Sequence, residues 1–370
     1  MYQNKFPFVL SMLVILGLLF TGCVSPTQSP PTEQPPVVEP TAVKPATEVP
    51  TAEATAAPKP TSLKIGCIVA GTIQEPWYST ELDSLHKLQN SNPYNVTIQI
   101  DYTENVWGED SLQVMSKYAE AGYDIVWSFT GADSDYIKQI QDTYPNVLFA
   151  HSGGGGASLG KNSVHVWDLV YQATYLEGMI AGMMTKTNVI GFIGSFPSEE
   201  VNEEANAYIL GAKDVNPNVK AKVTFINSWY DPGLTQESAV AQIAAGADFI
   251  LPTIPGAYET MDGAGIKGFG NYVDQSSMAP KVIVASSLLN WDAPAKHLLD
   301  LWWEHATTGK AYAVPADDYY VLMAEGGTDL IINREMLPAD VLAAVDAKKA
   351  DIISGKFVVV MDKAEPKSDQ

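Results

Sequence analysis

The sequence predicts an α/β protein in which parallel sheets carry helices on both faces, arranged as two similar lobes. Short apolar runs alternate with helix-length segments over residues 62–363, a pattern typical of doubly wound parallel sheets. A helix-to-strand corner also recurs, as Ala-Gly-Tyr-Asp at 121–124 and Ala-Gly-Ala-Asp at 245–248. Each corner has glycine where a helix should end. The recurrence indicates two lobes of similar construction.

The spacing of apolar residues predicts the individual elements in order. The predicted strands occupy 63–70, 96–102, 124–128, 147–151, 189–194, 222–227, 248–252 and 281–286. The predicted helices occupy 79–90, 109–121, 133–143, 171–185, 199–214, 234–245 and 292–308.

The first residues predict export and a lipid anchor. One lysine, Lys5, precedes an apolar run at 6–20, which is shorter than the ~20 residues a membrane-spanning helix needs. A short apolar core that ends in small residues is typical of a secretory signal. Gly22-Cys23 after the run resembles a bacterial lipoprotein processing site, so residues 1–23 are expected to be signal peptide and lipobox. Cys23 would then hold the protein outside the cytoplasm on the cell membrane; secretion without lipid is the alternative.

Residues 24–61 predict a disordered tether. They contain ten of the 24 prolines of the chain and no aromatic residue, so they cannot bury a core. Proline favours extended backbone, which makes such a segment a semi-rigid spacer. A folded domain held off a membrane needs a spacer of this kind.

The charge balance and the cysteines exclude several classes. The formal net charge is −21, whereas nucleic-acid binding depends on neutralising phosphates with basic side chains. No nucleic-acid partner is therefore expected. With Cys23 lipidated, Cys67 has no partner for an internal disulfide. Cys67 lies in an apolar run, where it is expected to be a small buried hydrophobe.

The residues that follow the predicted strands point to a ligand site. In open parallel sheets, ligands bind beyond the carboxyl ends of the strands. Five tryptophans lie at such positions: Trp77, Trp107, Trp167, Trp229 and Trp291. Aromatic rings interleaved with Asp and Asn suit a flat ligand with polar edges, since stacking one base on a ring contributes ~1–3 kcal/mol. Packing in the core is the alternative for each ring.

Several stretches, taken in order, resemble the basic membrane protein (BMP) family of ABC-importer binding proteins. They include Tyr-Leu-Glu-Gly-Met-Ile-Ala-Gly at 175–182 and Ser-Trp-Tyr-Asp-Pro at 228–232. The others lie at 186–187, 190–194, 211–213, 215–217, 246–248, 274–277 and 353–355.

The resemblance implies a type I periplasmic-binding-protein fold. Two α/β lobes would be joined by three crossings, with the ligand in the cleft at the hinge. The expected N-terminal lobe is 62–166 plus 292–318, and the expected C-terminal lobe is 167–291 plus 319–363. The implied protein is a monomer without catalysis that delivers a purine base or nucleoside to an ABC permease.

The departures from the family pattern favour a free base. Nucleoside-binding members carry an Asp, associated with the ribose, where Tyr272 stands in the turn 270–275. They also tend to carry a Lys near 288–291, which here reads Leu-Leu-Asn-Trp. A tryptophan in the first loop together with this Asn-Trp pair resembles the branch that includes adenine binders. An adenine-like base is therefore expected ahead of a nucleoside.

The resemblance also implies roles for individual residues. Trp77 and Trp229 would sandwich the base, one from each lobe. The other expected ligand-binding residues are Phe129 and Trp167 as walls, Asp168, Asp231 and Asp274 as polar anchors, and Trp291 near the hinge. Asp231 and Asp274 also lie in turn sequences, so capping of the backbone is an alternative role for both.

Three other functions are alternatives for the same residues. Sugars also stack on tryptophan, so a sugar-binding protein of this fold is one alternative, and a surface sensor or adhesin is another. A hydrolase is disfavoured because the sequence has no His-Glu-x-x-His, and because its matches to Gly-x-Ser-x-Gly at 156–160 and to Gly-x-x-x-x-Gly-Lys at 155–161 overlap in a glycine run that no predicted helix follows closely. His151 and His165 flank a glycine run at 153–156 but lack further ligands at metal-binding spacing, so no metal or cofactor is expected. The glycine run itself is expected to be a flexible loop that crosses between lobes.

Overall fold

The computed structural model describes residues 59–369, apart from the side chain of Asp168. The predicted signal peptide, Cys23 and all but the last residues of the predicted tether lie outside this range. Within it, no helix combines the length and apolar character needed to cross a membrane.

Twelve strands and nine α-helices make up the described part of the chain. The strands are β1 (Ser62–Ile68), β2 (Thr97–Thr103), β3 (Ile125–Ser128), β4 (Leu148–Ser152), β5 (Ser163–Asp168), β6 (Val189–Gly194), β7 (Lys220–Phe225), β8 (Phe249–Pro252), β9 (Lys267–Gly270), β10 (Ile283–Leu289), β11 (Tyr319–Val321) and β12 (Thr328–Ile332). The helices are α1 (Pro76–Ser91), α2 (Glu109–Glu120), α3 (Ser134–Ile140), α4 (Tyr171–Met184), α5 (Glu199–Val215), α6 (Pro232–Ala244), α7 (Tyr258–Ala264), α8 (Asp292–Thr308) and α9 (Ala339–Ile353).

The strands form two six-stranded sheets with the same internal order. The first sheet runs β11-β5-β4-β3-β1-β2 and the second runs β12-β10-β9-β8-β6-β7. All pairings are parallel except β10 with β12, which is antiparallel. The two α/β lobes predicted from the sequence are therefore confirmed, with one antiparallel edge strand that the prediction lacked.

The chain passes between the sheets three times. It leaves the first sheet after β5, returns after β10 to place α8 against β4 and β5, and leaves again between β11 and β12. The last strand of the first sheet, β11, thus follows the second crossing, and the last strand of the second sheet, β12, follows the third. The predicted lobe limits stay a prediction, but pairing with β5 places β11 in the first sheet, although 319–363 was expected in the second lobe.

Each predicted strand and helix has a counterpart in the structure. The two repeated corners also behave as predicted, because Gly122 has φ +75° and Gly246 has φ +95°, angles that glycine adopts readily. Sequence spacing did not reveal β5, β9, β11, β12, α7 and α9. Two of these, β9 and β11, are strands of four and three residues, too short for a period to emerge.

Close packing of α4 on α5 anchors the second lobe. A Cβ atom at Gly178 would lie 2.0 Å from the Tyr208 carbonyl oxygen, and one at Gly211 would lie 2.0 Å from the Tyr175 carbonyl oxygen. Only glycine permits backbones to approach this closely. These contacts fix the second half of α5 against α4, while the first turn of α5 lies at the candidate site.

Candidate ligand-binding site

A cavity of about 480 Å³ lies between the two sheets, at the carboxyl ends of their strands. Loops that follow strands of both sheets contribute its walls, as the strand-end rule predicts. From the side of the first sheet it is lined by Glu75, Trp77, Tyr78, Trp107, Phe129, Thr130, Gly131, Ala132, Ser152, Gly153, Gly154 and Gly155. From the side of the second it is lined by Ser195, Pro197, Ser198, Glu199, Glu200, Val201, Trp229, Thr253, Ile254 and Tyr272.

Trp77 is a fixed wall of the cavity. It lies in the first turn of α1, and its Nε1–H donates to the Phe129 carbonyl oxygen at 3.0 Å. Its ring packs edge-on against Tyr272, with centroids 5.6 Å apart, and against Trp291, with centroids 5.4 Å apart. Because Tyr272 follows β9 of the second sheet, Trp77 already joins the two sides of the cleft.

Two further tryptophans lie at the mouth of the cavity and are half exposed. Trp107 is 46% exposed and Trp229 is 45% exposed, and they approach the cavity from opposite sides. Trp229 rests on Phe196, with ring centroids 4.9 Å apart. Large aromatic rings left partly in water at a pocket are surfaces that a ligand can bury.

The glycine run forms part of the cavity wall. It connects β4 to β5 within one sheet, so the expectation of a loop crossing between lobes is wrong. Gly153 has φ +90°, and a Cβ there would lie 2.9 Å from the Trp77 ring. A Cβ at Gly131 would lie 2.4 Å from the Gly153 carbonyl oxygen. Glycine is needed at these positions because the backbone itself packs against the aromatic wall.

The charged groups of the lining are all acidic. The described lining residues include Glu75, Glu199 and Glu200 but no Lys, Arg or His. The Oε2 atom of Glu200 is buried and has no hydrogen-bond partner among the described residues, and burial raises the pKa of this carboxyl. A site of this kind disfavours phosphates and suits a neutral ligand with N–H or O–H donors.

Behind the lining, Tyr272 is tied to a second buried carboxyl. Its hydroxyl donates to Glu204 Oε1 at 2.6 Å, and the Asn271 side-chain amide donates to Glu204 Oε2 at 3.1 Å. Burial raises the pKa of Glu204 to about 8. The Tyr272 hydroxyl therefore points into the protein interior, and the Tyr272 ring faces the cavity.

The structure brings three of the predicted ligand-binding residues together. Trp77, Phe129 and Trp229 line the cavity, with Trp77 and Trp229 on opposite sides. Trp291 lies at the crossing before α8, fully buried behind Trp77. Trp167 is 2% exposed and stacks on Tyr320 instead of facing the cavity.

Two of the predicted acidic anchors, Asp231 and Asp274, do not line this cavity. Asp231 caps α6, where its Oδ1 accepts from the Leu234 backbone N–H at 2.9 Å. Asp274 accepts from the Ser276 backbone N–H at 3.0 Å and borders a different cavity of about 270 Å³. Both make the local turn contacts that the sequence offered as an alternative. Asp168 ends β5, and its side chain is not among the described ones.

Four features of the lining were absent from the predicted set: Trp107, Tyr272, Glu200 and the glycine run. Trp107 carried the same strand-end signal as the tryptophans that were chosen. Tyr272 was noted only as a departure from a family pattern. Glu200 gave no signal, because a glutamate in the first turn of a helix is ordinary on electrostatic grounds.

Two α/β lobes with an aromatic cleft at their strand ends are typical of proteins that bind a small ligand between two lobes. The family model Bmp, described as ABC transporter substrate-binding protein PnrA-like, matches residues 62–358. The chain belongs to this family, whose members are extracytoplasmic solute-binding proteins of ABC transporters.

Two curated relatives are named after different ligands, glucose and a purine. The putative ABC transporter glucose-binding protein TsgA13 of Haloferax volcanii is 31% identical over 52% of this chain, a match that spans only 50% of that protein's length. The purine-binding protein BAB2_0673 of Brucella abortus is 28% identical over 67% of this chain and 72% of its own length.

Solved structures share the fold at low identity. A transcriptional activator of the comK gene from Bacillus halodurans superposes with a TM-score of 0.66 at 20% identity, covering 80% of this chain and 99% of that one. A solute-binding protein of an ABC transporter system from Conexibacter woesei gives a TM-score of 0.64 at 19% identity, covering 80% and 98%. At these identities the likeness concerns the fold alone.

Proposed function

We propose that this protein captures a purine base, adenine-like, between aromatic side chains of its two lobes and delivers it to an ABC permease. The observation that carries the proposal is the placement of Trp77 and Trp229 on opposite sides of one cavity. Flat rings supplied from both sides suit a flat aromatic ligand. The purine-binding relative from Brucella abortus supports the same ligand class.

A free base fits this lining better than a nucleoside. The Tyr272 hydroxyl donates its hydrogen to Glu204, so it has none to give to a ribose oxygen. The unpaired Oε2 of Glu200 is an acceptor that a ring N–H could satisfy. A free purine carries such an N–H at the position where a nucleoside carries its sugar. A base bound with this N–H towards Glu200 would satisfy the buried acceptor, whereas a nucleoside bound in the same orientation has no hydrogen at that ring nitrogen.

Glucose is the second candidate. The Haloferax volcanii relative named as glucose-binding supports it, and so do the hydroxyl groups of Ser152, Ser195 and Thr253 in the lining. Sugars stack on tryptophan as bases do, so the two candidates must be separated by titration.

Calorimetric titration with adenine, adenosine and glucose tests the proposal on protein stripped of co-purified ligand. We expect adenine to bind at least ~10-fold more tightly than adenosine, since one unsatisfied buried acceptor costs ~1–3 kcal/mol. Glucose is expected to give no heat at the same concentrations. Tighter binding of glucose than of adenine would replace the purine proposal with the sugar one.

We further propose that Cys23 carries the lipid anchor that holds the protein, as a monomer, on the outer face of the cell membrane. The Gly22-Cys23 pair after a short apolar run supports this. In cells, Cys23→Ser is expected to move the protein from the membrane fraction to the soluble exported fraction. Cys67→Ser is the matched control, because Cys67 is buried in the first lobe. Equal membrane retention of Cys23→Ser and the control would contradict the anchor.

A further inference from the structure

We propose that Asp318 and a doubly protonated His165 position the glycine run 153–156, and that this arrangement sets the shape of the ligand cavity. The inference deepens the proposed function, because it assigns two positioning residues that lie outside the lining. Neither residue contacts the cavity directly; both act through the Gly153 carbonyl.

The geometry is a buried hydrogen-bonded chain. The His165 side chain is fully buried, with Nε2 2.8 Å from the Gly153 carbonyl oxygen and Nδ1 2.9 Å from Asp318 Oδ1. Both ring nitrogens therefore face oxygen atoms. A carbonyl oxygen can only accept, so Nε2 must carry a hydrogen.

The surroundings of Asp318 place a hydrogen on Nδ1 as well. Its Oδ1 also accepts from the Ser158 backbone N–H at 2.9 Å, and its Oδ2 accepts from the Tyr320 hydroxyl at 3.1 Å. These two hydrogen bonds, donated from outside the His165 contact, favour the ionised form of Asp318. An ionised carboxylate is an acceptor only, which leaves His165 as the donor at both nitrogens.

The neighbouring histidine does not compete for this proton. His151 stacks on His165 with ring centroids 4.6 Å apart. Burial, reinforced by His165, lowers the pKa of His151 to about 3. His151 is therefore neutral at pH 7, and His165 is the ring that faces Asp318.

The chain continues from His165 to the cavity. Gly153, whose carbonyl His165 holds, lies with its Cα against the Trp77 ring and its oxygen against Gly131. Rotation of this peptide would move the backbone away from the wall that receives the ligand. Asp318 directly precedes β11, so the contact also ties the loop to the strand before the third crossing.

Nitrogen-15 NMR of the histidine rings tests the protonation in the unliganded wild type. We expect both nitrogens of His165 to show the shifts of an imidazolium at pH 7, with His151 neutral. The assignment uses His165→Gln, in which the imidazolium signals should vanish. A neutral His165 would overturn the proposal whatever ligand the protein binds.

Hydrogen–deuterium exchange and adenine titration of His165→Gln and Asp318→Asn test the positioning. We expect faster exchange in the peptide that spans 153–156 and roughly tenfold weaker adenine binding, the scale of one lost charge-assisted hydrogen bond. Lys161→Gln is the control, because it breaks an exposed ion pair with Asp142 in the same lobe. Unchanged exchange in both folded variants would overturn the positioning role. Adenine binding that is absent from the wild type would count against the proposed ligand alone.

Discussion

Replacing Trp229 by alanine is expected to weaken adenine binding by roughly 5- to 150-fold, the equivalent of ~1–3 kcal/mol for one stacking ring. Trp229 lines the cavity from the second lobe and is 45% exposed without ligand. A ligand that covers this ring removes apolar surface from water and gains stacking. Because the ring is largely in water beforehand, its removal should change the free energy of unfolding by less than ~1 kcal/mol.

The adjacent Tyr230 supplies a matched control. It is 44% exposed in the same loop but does not line the cavity. Calorimetric titration and urea unfolding of Trp229→Ala and Tyr230→Ala separate the two effects. Both variants should unfold like the wild type, and only the first should lose affinity. Equal adenine affinity of the two variants would show that the ligand does not rest on Trp229.

The strands and helices along the chain and the location of the cleft could be predicted because both follow from local patterns. Apolar runs separated by helix-length segments predicted the two sheets, and the strand-end rule pointed to Trp77, Phe129 and Trp229. The edge strands β11 and β12 could not be predicted, since three and five residues show too little of a period.

The direction of each side chain could not be predicted. Trp77, Trp167 and Trp291 carry the same strand-end signal, yet only the Trp77 ring reaches the cavity. Trp291 packs behind Trp77, and Trp167 is covered by Tyr320. Which face of a loop meets the cleft depends on the backbone of the opposite lobe. Glu200 shows this most clearly, since a Cβ at Gly154 of the first lobe would lie 1.9 Å from its Oε2.

A second large effect concerns pH, because α5 carries a row of buried carboxyls beside the cavity. Burial raises the pKa of Glu203 to about 7 and that of Glu204 to about 8, both from an ordinary value of 4.5. For Glu203 the burial effect outweighs the opposing pull of Lys363, and for Glu204 it outweighs hydrogen bonds from Tyr272 and Asn271.

The sign of the effect follows from proton linkage. Between pH 4.5 and the raised values, the native state binds protons that the unfolded chain has released. The free energy of unfolding should therefore fall as pH rises from about 5 to about 8, by ~1.4 kcal/mol for each unit of raised pKa. Below pH 4, Asp318, Asp346 and Asp369 act in the opposite sense, since their pKa values are lowered in the fold. His151, whose pKa is lowered to about 3, opposes the two glutamates up to about pH 6.5, so the fall in stability is expected to be steepest between pH 6.5 and 8.

Glu204→Gln should remove the part of this slope that lies between pH 7 and 8, because Glu203 has lost its proton by then. Glutamine keeps an oxygen for Asn271 and offers an N–H to the Tyr272 hydroxyl, so the buried contacts can persist. Urea unfolding at pH 5, 6, 7 and 8 measures the slope, with Glu237→Gln as the exposed control on α6. Stability that rises from pH 5 to pH 8 in the wild type, or equal slopes in the two variants, would show that these carboxyls are ionised in the fold. Since the Tyr272 hydroxyl contacts Glu204, a neutral Glu204 at pH 7 also means that this wall of the cavity is backed by an uncharged carboxyl.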